Sequence, residues 1–430
     1  MNKFRLVSLQ ILLSICCLCS VMAQNNNSQS PYTRFGFGEV HRKATNALKG
    51  MGGISLGVRD ASLINPSNPA SYTAVDSMTF IFDLGLSASW SQLKEGENSS
   101  SALLGNVNYA TLLFPVNKYL SFSAGLLPYS SVGYDYQIKQ RVENVSGEEF
   151  VRAYNGSGNI NEVYMGVSVQ PLSHWSLGVN GSFLFGSLKY DRYAVSAQGS
   201  SYTPHFMESL KLKGWGVTAG TQVQIPIGKE DLLTLGFTYT PRIPIRSTNI
   251  ERITHEKNGG GVISTIKSDT ISSHSTYARP ESFGMGISYA AGERVLVGAD
   301  FTYNKWQHSF AETITDFRGR GQWQAALGTS YTPNARSGQY ANQIQYRLGL
   351  TGESSYVNIR NQAGNYDPYY KAGITLGLGF PLVDKRSYID LSLGYSRVIP
   401  TGQIRLNSGT LDLSISLRFN EAWFKKIRIN

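Results

Sequence analysis

Apolar residues that recur at every second position, in stretch after stretch, constrain this chain more than any other feature. Trp175, Leu177, Val179, Phe183 and Phe185 alternate with Ser176, Gly178, Asn180 and Ser182. Val295, Val297, Ala299, Phe301 and Tyr303 alternate with Gly298, Asp300, Thr302 and Asn304, and Leu411, Leu413, Ile415, Leu417 and Phe419 with Asp412, Ser414, Ser416 and Arg418. A period of two puts one side chain set on each face of a β-strand, so each stretch reads as a strand with an apolar and a polar face. Fourteen such stretches lie between residues 78 and 420. Many run to ten residues or more, whereas strands of soluble proteins average about five or six.

Composition narrows the class. Charged residues are 16% of the chain, against about 25% in soluble domains. There are 44 Gly and 25 Tyr, yet mean hydropathy is −0.20. Past the N-terminus there is no apolar run of the roughly 20 residues that a spanning helix needs. These features predict an all-β chain: a transmembrane antiparallel β-barrel of about 14 strands. Short connections (Pro115 to Lys118, Pro171 to Ser173, Ile227 to Glu230, Gly292-Glu293) alternate with longer ones near 91–103, 138–158, 191–207, 246–279 and 354–368. That alternation matches periplasmic turns and external loops. Trp90, Tyr136, Trp175, Tyr190, Trp306, Trp323, Tyr331, Tyr369 and Tyr395 fall near strand ends, where amphipathic rings suit water–lipid boundaries.

The domain reading follows. Residues 1–23 read as a signal peptide, with Lys3 and Arg5 before the apolar Leu12 to Met22 and a small-residue exit at Ala23. Residues 24–77 are an N-terminal arm rich in Gly, Asn and Pro, 78–420 the barrel, and 421–430 an amphipathic tail containing Trp423 and Phe424. The three cysteines, Cys16, Cys17 and Cys19, all fall in the leader. The bulky Ile15 before Cys16 speaks against lipidation there. A mature chain without cysteine excludes disulfides and thiolate chemistry. The net charge of +10 is scattered and forms no basic run. It suits anionic lipid head groups rather than nucleic acid.

Asn68-Pro69-Ala70, in a Gly-rich arm ahead of the strands, resembles the outer-membrane long-chain fatty-acid and hydrocarbon transporter family (the FadL/TodX type). The resemblance implies a barrel whose arm forms a hatch (plug) in the lumen, carrying that motif. It further implies hydrophobic ligands that enter through the external loops and leave sideways through a gap at an inward kink of the third strand. Leu127-Pro128 in the third stretch is the candidate kink, since proline cannot donate a ladder hydrogen bond. A bulge near the strand's end is the equal alternative. The loop 246–279 departs from the family: it is polar, with Glu251, Arg252, His255, Glu256, Lys257, Lys267 and Asp269.

Asp83, Asp300, Arg347, Lys371, Asp390, Asp412 and Arg418 fall on the inferred lumen face. Such charges need partners or water. They either tie the hatch to the wall or line a wet path, and an ordinary polar interior is the plainer reading. No catalytic residue, metal site or cofactor is expected. Gly53-Ile54-Ser55-Leu56-Gly57 matches a nucleophile elbow but lacks its α/β setting, and the six histidines have no metal-ligand spacing. The sequence therefore reads as an outer-membrane channel for passive uptake of hydrophobic small molecules, gated by the hatch, and not an enzyme. Its partners would be outer-membrane lipids and a hydrophobic ligand. The rival reading is a non-transporting barrel subunit of an outer-membrane secretion or assembly complex, with other outer-membrane proteins as partners. An outer-membrane esterase or phospholipase is the weakest of the three.

Overall fold

The computed structural model describes residues 29–77, 79–141, 149–196, 202–259, 262–273, 276–310, 316–361 and 363–422. The signal-peptide and tail expectations therefore lie largely outside the described residues.

Fourteen antiparallel strands close on themselves. In chain order they are β1 (Thr79–Glu95), β2 (Asn98–Asn117), β3 (Leu120–Arg141), β4 (Glu149–Leu172), β5 (Trp175–Ser196), β6 (Tyr202–Ile227), β7 (Asp231–Thr240), β8 (Glu281–Ala291), β9 (Val295–Lys305), β10 (Gly321–Tyr331), β11 (Gln345–Ser354), β12 (Tyr369–Pro381), β13 (Tyr388–Pro400) and β14 (Asn407–Ala422). Each pairs with the next, and β14 returns to β1 in register from Thr79↔Ala422 to Lys94↔Asn407. Closure leaves no free sheet edge around most of the wall, which is what hydrocarbon demands of a backbone.

The alternation places apolar side chains outside. On β8, Phe283, Met285, Ile287 and Tyr289 are exposed, while Gly284, Gly286 and Ser288 are buried, face inward and all meet the arm. On β12, Ile374 and Leu376 point out, while Thr375 points in and bonds the arm. This belt is the lipid-facing surface. No described helix is long and apolar enough to cross a membrane.

The wall is uneven in height. Strands β7 to β13 have 10–13 residues, close to the roughly 9–11 that span a bilayer. Strands β3 to β6 have 22–26. The segment 246–279, expected as a loop, is mostly sheet. Ile243–Gly259 pairs with the upper half of β6 and with Val262–Ser273. The other expected loops are likewise shortened: β1 and β2 run on to a turn at Gly96, where φ is +59°. Beyond the bilayer the outer face of a strand meets water instead of lipid, while its inner face meets a mixture of polar groups and the core around Phe37, so the sequence alternation fades while backbone pairing continues.

Residues 29–77 lie inside the barrel. They form a 3-10 turn (Pro31–Arg34), a two-residue strand (Glu39–Val40), a single helical turn α1 (Asn46–Lys49) and a second 3-10 helix (Pro69–Ala74). Apolar residues of the arm and inward-facing residues of the wall make the cores. One surrounds Phe37 at the loop end, one holds Leu48, Met51 and Ile54 midway, and one holds Ile64, Tyr72 and Val75 towards the short turns.

Candidate functional site: the arm–wall junction in the lumen

Asn68 is fully buried and caps Pro69–Ala74, its Oδ1 accepting from the Ala70 amide at 3.2 Å. Proline at the first helical position suits this start, since its missing N–H would be unpaired anyway. The Asn68 Nδ2 donates to Leu56 O at 2.7 Å and Thr221 O at 3.3 Å, so one side chain joins two arm segments to β6. The Ala70 carbonyl accepts from Ser168 of β4 and from Arg59. Tyr72 donates to Asn180 of β5, whose amide returns a bond to Pro66 O. The wall is shaped for this fit: a Cβ at Gly220 would overlap the Asn68 carboxamide, and one at Gly236 the Leu56 carbonyl.

Arg59 reaches Ser176, Thr73 and Gln170, each at 3.0 Å, with no carboxylate among these partners. Burial pulls its guanidinium down to about 10.

The seven inward charges separate into three groups. Asp390 meets Arg347 at 2.6 Å and Arg418 at 3.3 Å, with all three buried. The Asp390 carbonyl accepts from Asn46 of α1, and Arg418 donates to Ser62 O. Asp83 accepts from Tyr109, whose hydroxyl accepts from the Asn46 amide. These residues cross the junction of β14 with β1, where the barrel closes. Asp300 stands apart on β9 and accepts the Ser55 and Leu56 amides at 2.6 and 2.8 Å. Lys371 pairs with Glu39 of the arm at 2.6 Å, and Asp412 accepts from Ser89 of the wall. Both border a cavity of about 280 Å³ between arm and wall, with Lys49, Glu353 and several serines.

A further ion cluster escaped the sequence reading. Glu162 of β4 is fully buried between Lys43 of the arm (2.7 Å) and Arg279 (3.0 Å). Its signal was a carboxylate on the inward face of an alternating stretch, with Ile160, Tyr164 and Ser168. Its partner Arg279 is the last residue of the polar segment 246–279, which the sequence marks as a loop. Burial, with the Arg279 charge second, lowers the Lys43 ammonium to about 8, against the pull of Glu162. The 23% of the side chain still open to the lumen moderates that burial.

Above these layers the lumen is closed by aromatic packing. Phe37 is fully buried, with ring centroids of Phe310, Tyr277 and Trp306 at 5.2, 5.6 and 6.0 Å. Tyr356 accepts from the Phe37 amide and donates to Gly38 O.

The wall departs from a closed cylinder at one place. Pairing of β2 with β3 runs from Asn117↔Leu120 only as far as Ala110↔Leu126. Leu127 and Pro128 follow directly, and the β3–β4 register shifts between Pro128 and Ser130. From Tyr129 to Tyr134 every residue of β3 is buried, so both of its faces have left the lipid surface. The arm takes this edge: Glu39–Val40 pairs with Ser131 and Ser130, His41 N donates to Tyr129 O, and Ser30 N to Gly133 O.

Solved structures share this architecture. The CymD monoaromatic hydrocarbon channel matches with a TM-score of 0.60 and 14% identity, over 90% of this chain and 100% of its own. The Pseudomonas putida toluene transporter TodX matches at 0.61 and 16%, over 89% and 99%. A Pseudomonas aeruginosa FadL homologue matches at 0.60 and 13%, over 88% and 99%. At these identities the likeness is one of fold, and at that level the resemblance expected from the sequence holds. No curated protein matches the chain. The BamG family model matches residues 6–430, and with this barrel built over nearly the whole of that range, the chain belongs to the BamG family.

Proposed function

We propose that this barrel is a non-transporting subunit of an outer-membrane secretion or assembly complex. The observation that carries the reading is the state of the lumen. The arm is bonded to the wall at every level, from Tyr356 through Asp390 and Asp300 to Asn180. A space of about 280 Å³ beside it is bordered by Lys49, Lys371, Glu353 and Asp412, with Leu104, Val107 and Leu127 at the opening of the wall. Apolar cargo binds by losing water-exposed area, at about 25 cal/mol per Å². The four charges and the serine hydroxyls in this space would lose hydration to such cargo. Affinity purification from native outer membranes under mild detergent tests the proposal. A stoichiometric protein partner is expected. A lipid-like or aromatic molecule extracted in equimolar amount, with no protein partner, would overturn it.

The second reading, passive uptake of hydrophobic small molecules, is favoured by the opening between β2 and β3. In that scheme the arm is a hatch that moves around Asn68-Pro69-Ala70, and cargo leaves sideways past Leu127 and Pro128. Its test is binding of toluene and a long-chain fatty acid to the reconstituted barrel. Measurable saturable binding, lost when Val107 and Leu127 are replaced by aspartate, would support it.

A further inference from the structure

On the outside of the tall wall, the lipid-facing row ends in a cluster of cations. The outward residues Trp215, Val217, Val223, Ile225 and Ile227 of β6 are exposed. From Trp215 to Ile227 is about 40 Å of strand at about 3.3 Å per residue, or about 30 Å of height at a tilt of about 40°. That matches the hydrocarbon layer. Trp215 marks its loop-side boundary, 70% exposed and packed on Phe183 with ring centroids 5.0 Å apart. Directly above, the outward residues turn basic. Lys213 and Lys211 of β6, Lys189 of β5 and Arg246 of the flanking strand Ile243–Gly259 are all exposed. Lys213 and Arg246 stand opposite each other in register. Lys211 stands opposite Ser187 and Thr248, and Lys189 opposite Ser157 and Ser209. Asp191, the next outward residue of β5 above Lys189, lies 3.3 Å from His205.

Like charges directly opposite each other destabilise a pair of strands. The loop-side ends of β8 and β9 show the opposite pattern: Glu281 stands opposite Lys305, and the two form an ion pair at 2.8 Å. The β5–β6 patch instead sets cation against cation at the level of the lipid head groups, where anions are at hand. From this clustering of Lys189, Lys211, Lys213 and Arg246 above Trp215, we propose that the patch binds the phosphates of an outer-leaflet glycolipid. The acyl chains of that lipid lie along Trp215, Phe183 and Val217. The level of Lys189 is that of Ser209, four residues above Lys213, so the patch is about 13 Å tall. That exceeds one phosphate and suits a head group carrying two. The hydroxyls of Ser187, Ser209 and Thr248 between the cations suit a sugar. Arg246 offers a two-pronged phosphate contact and the lysines act as point charges. The site lies on the outside of the wall, so it is independent of what fills the lumen.

Native mass spectrometry of the full-length barrel tests this, with the protein released from phosphatidylcholine nanodiscs doped with bisphosphorylated lipid A. The parent should retain the glycolipid and should retain its dephosphorylated form at least about tenfold less. Lys213→Gln with Arg246→Gln, and separately Lys189→Gln with Lys211→Gln, should weaken retention by a similar factor. Lys305→Gln, which removes an outward cation elsewhere, should leave it unchanged. All five side chains are exposed, and heat-modifiable migration in gels reports whether each variant is folded. Inorganic phosphate at the same concentration should not displace the lipid, and full displacement would overturn the assignment to a glycolipid. Equal retention of the phosphorylated and dephosphorylated lipids by the parent would overturn the site whether or not the variants fold. Unchanged retention in both paired variants, or an equal loss in Lys305→Gln, would overturn it too.

Discussion

Asp390 sits between two arginines that have no water to turn to. Removing it by Asp390→Ala leaves Arg347 and Arg418 as buried, uncompensated charges. Breaking such a pair costs about 3–5 kcal/mol. Urea unfolding in liposomes should show a loss of that order, and a loss under about 1 kcal/mol would mean that water already reaches the cluster. Asn68→Ala acts differently, because the residue holds the arm and not the wall. It removes a cap worth about 1 kcal/mol and two donated bonds. We expect the arm to become sensitive to protease while the barrel keeps its heat-modifiable migration in gels. Lys43 provides a pH test. Its folded value of about 8 lies below the ordinary lysine value of 10.5. Between these values the unfolded chain holds a proton that the folded one has shed, so this group's contribution to stability rises with pH. Below pH 8 the burial penalty is present in full. The difference in stability between the parent and Lys43→Met should therefore change across pH 8 to 10.5, and a flat difference would refute the shift.

At the scale of elements, β3 shows what a sequence can and cannot disclose. Its outward residues Phe122 and Leu126 were legible because lipid is a uniform partner that imposes a strict period. The inward turn after Leu126 was not, because its partner is the arm, an irregular backbone with no period of its own. Proline explains why Pro128 cannot donate to a ladder. It does not explain why Tyr129 to Gly133 stay away from β2, since the arm's bonds occupy that edge. Pro128→Ala should therefore leave the opening in place, with a cysteine at Val107 as reactive towards a lipid-soluble thiol reagent as in the parent. Closure by that single change would assign the bend to the proline alone. The same logic covers the tall β3–β6 wall. Beyond the membrane, the outward residues meet water and the inward ones are mixed, as with the buried Ile245, Ser247 and Asn249, so no strict period marks a strand in the sequence. The inward charges were identifiable as a class from their position. Their pairing was not, because Glu39, Lys43 and Ser55 contact strands more than a hundred residues away in the chain.

For the whole molecule, the wall and the arm answer different requirements. The wall satisfies its backbone through strand pairing and its exterior through lipid, and neither depends on what fills the lumen. The arm has little regular structure, and its stability comes from side chains such as Asp300 and Asn180 that project from the wall. Deleting residues 31–72 should therefore leave a folded barrel with its lumen open. The lost cores around Phe37, Leu48 and Tyr72 expose inward-facing charges to water, which hydrates them at lower cost than a dry interior would. In planar bilayers the parent should show no steady conductance, and the deletion a large ohmic one that falls as ionic strength is reduced. The opening between β2 and β3 gives the same experiment a second result. Removing the arm also frees the β3 edge from Tyr129 to Gly133, and a freed edge in hydrocarbon favours pairing with β2 across the opening. A cysteine at Val107 should then lose reactivity in the deletion while conductance rises. Unchanged conductance would mean that the wall collapses onto the vacated space and that the arm is not what seals the lumen.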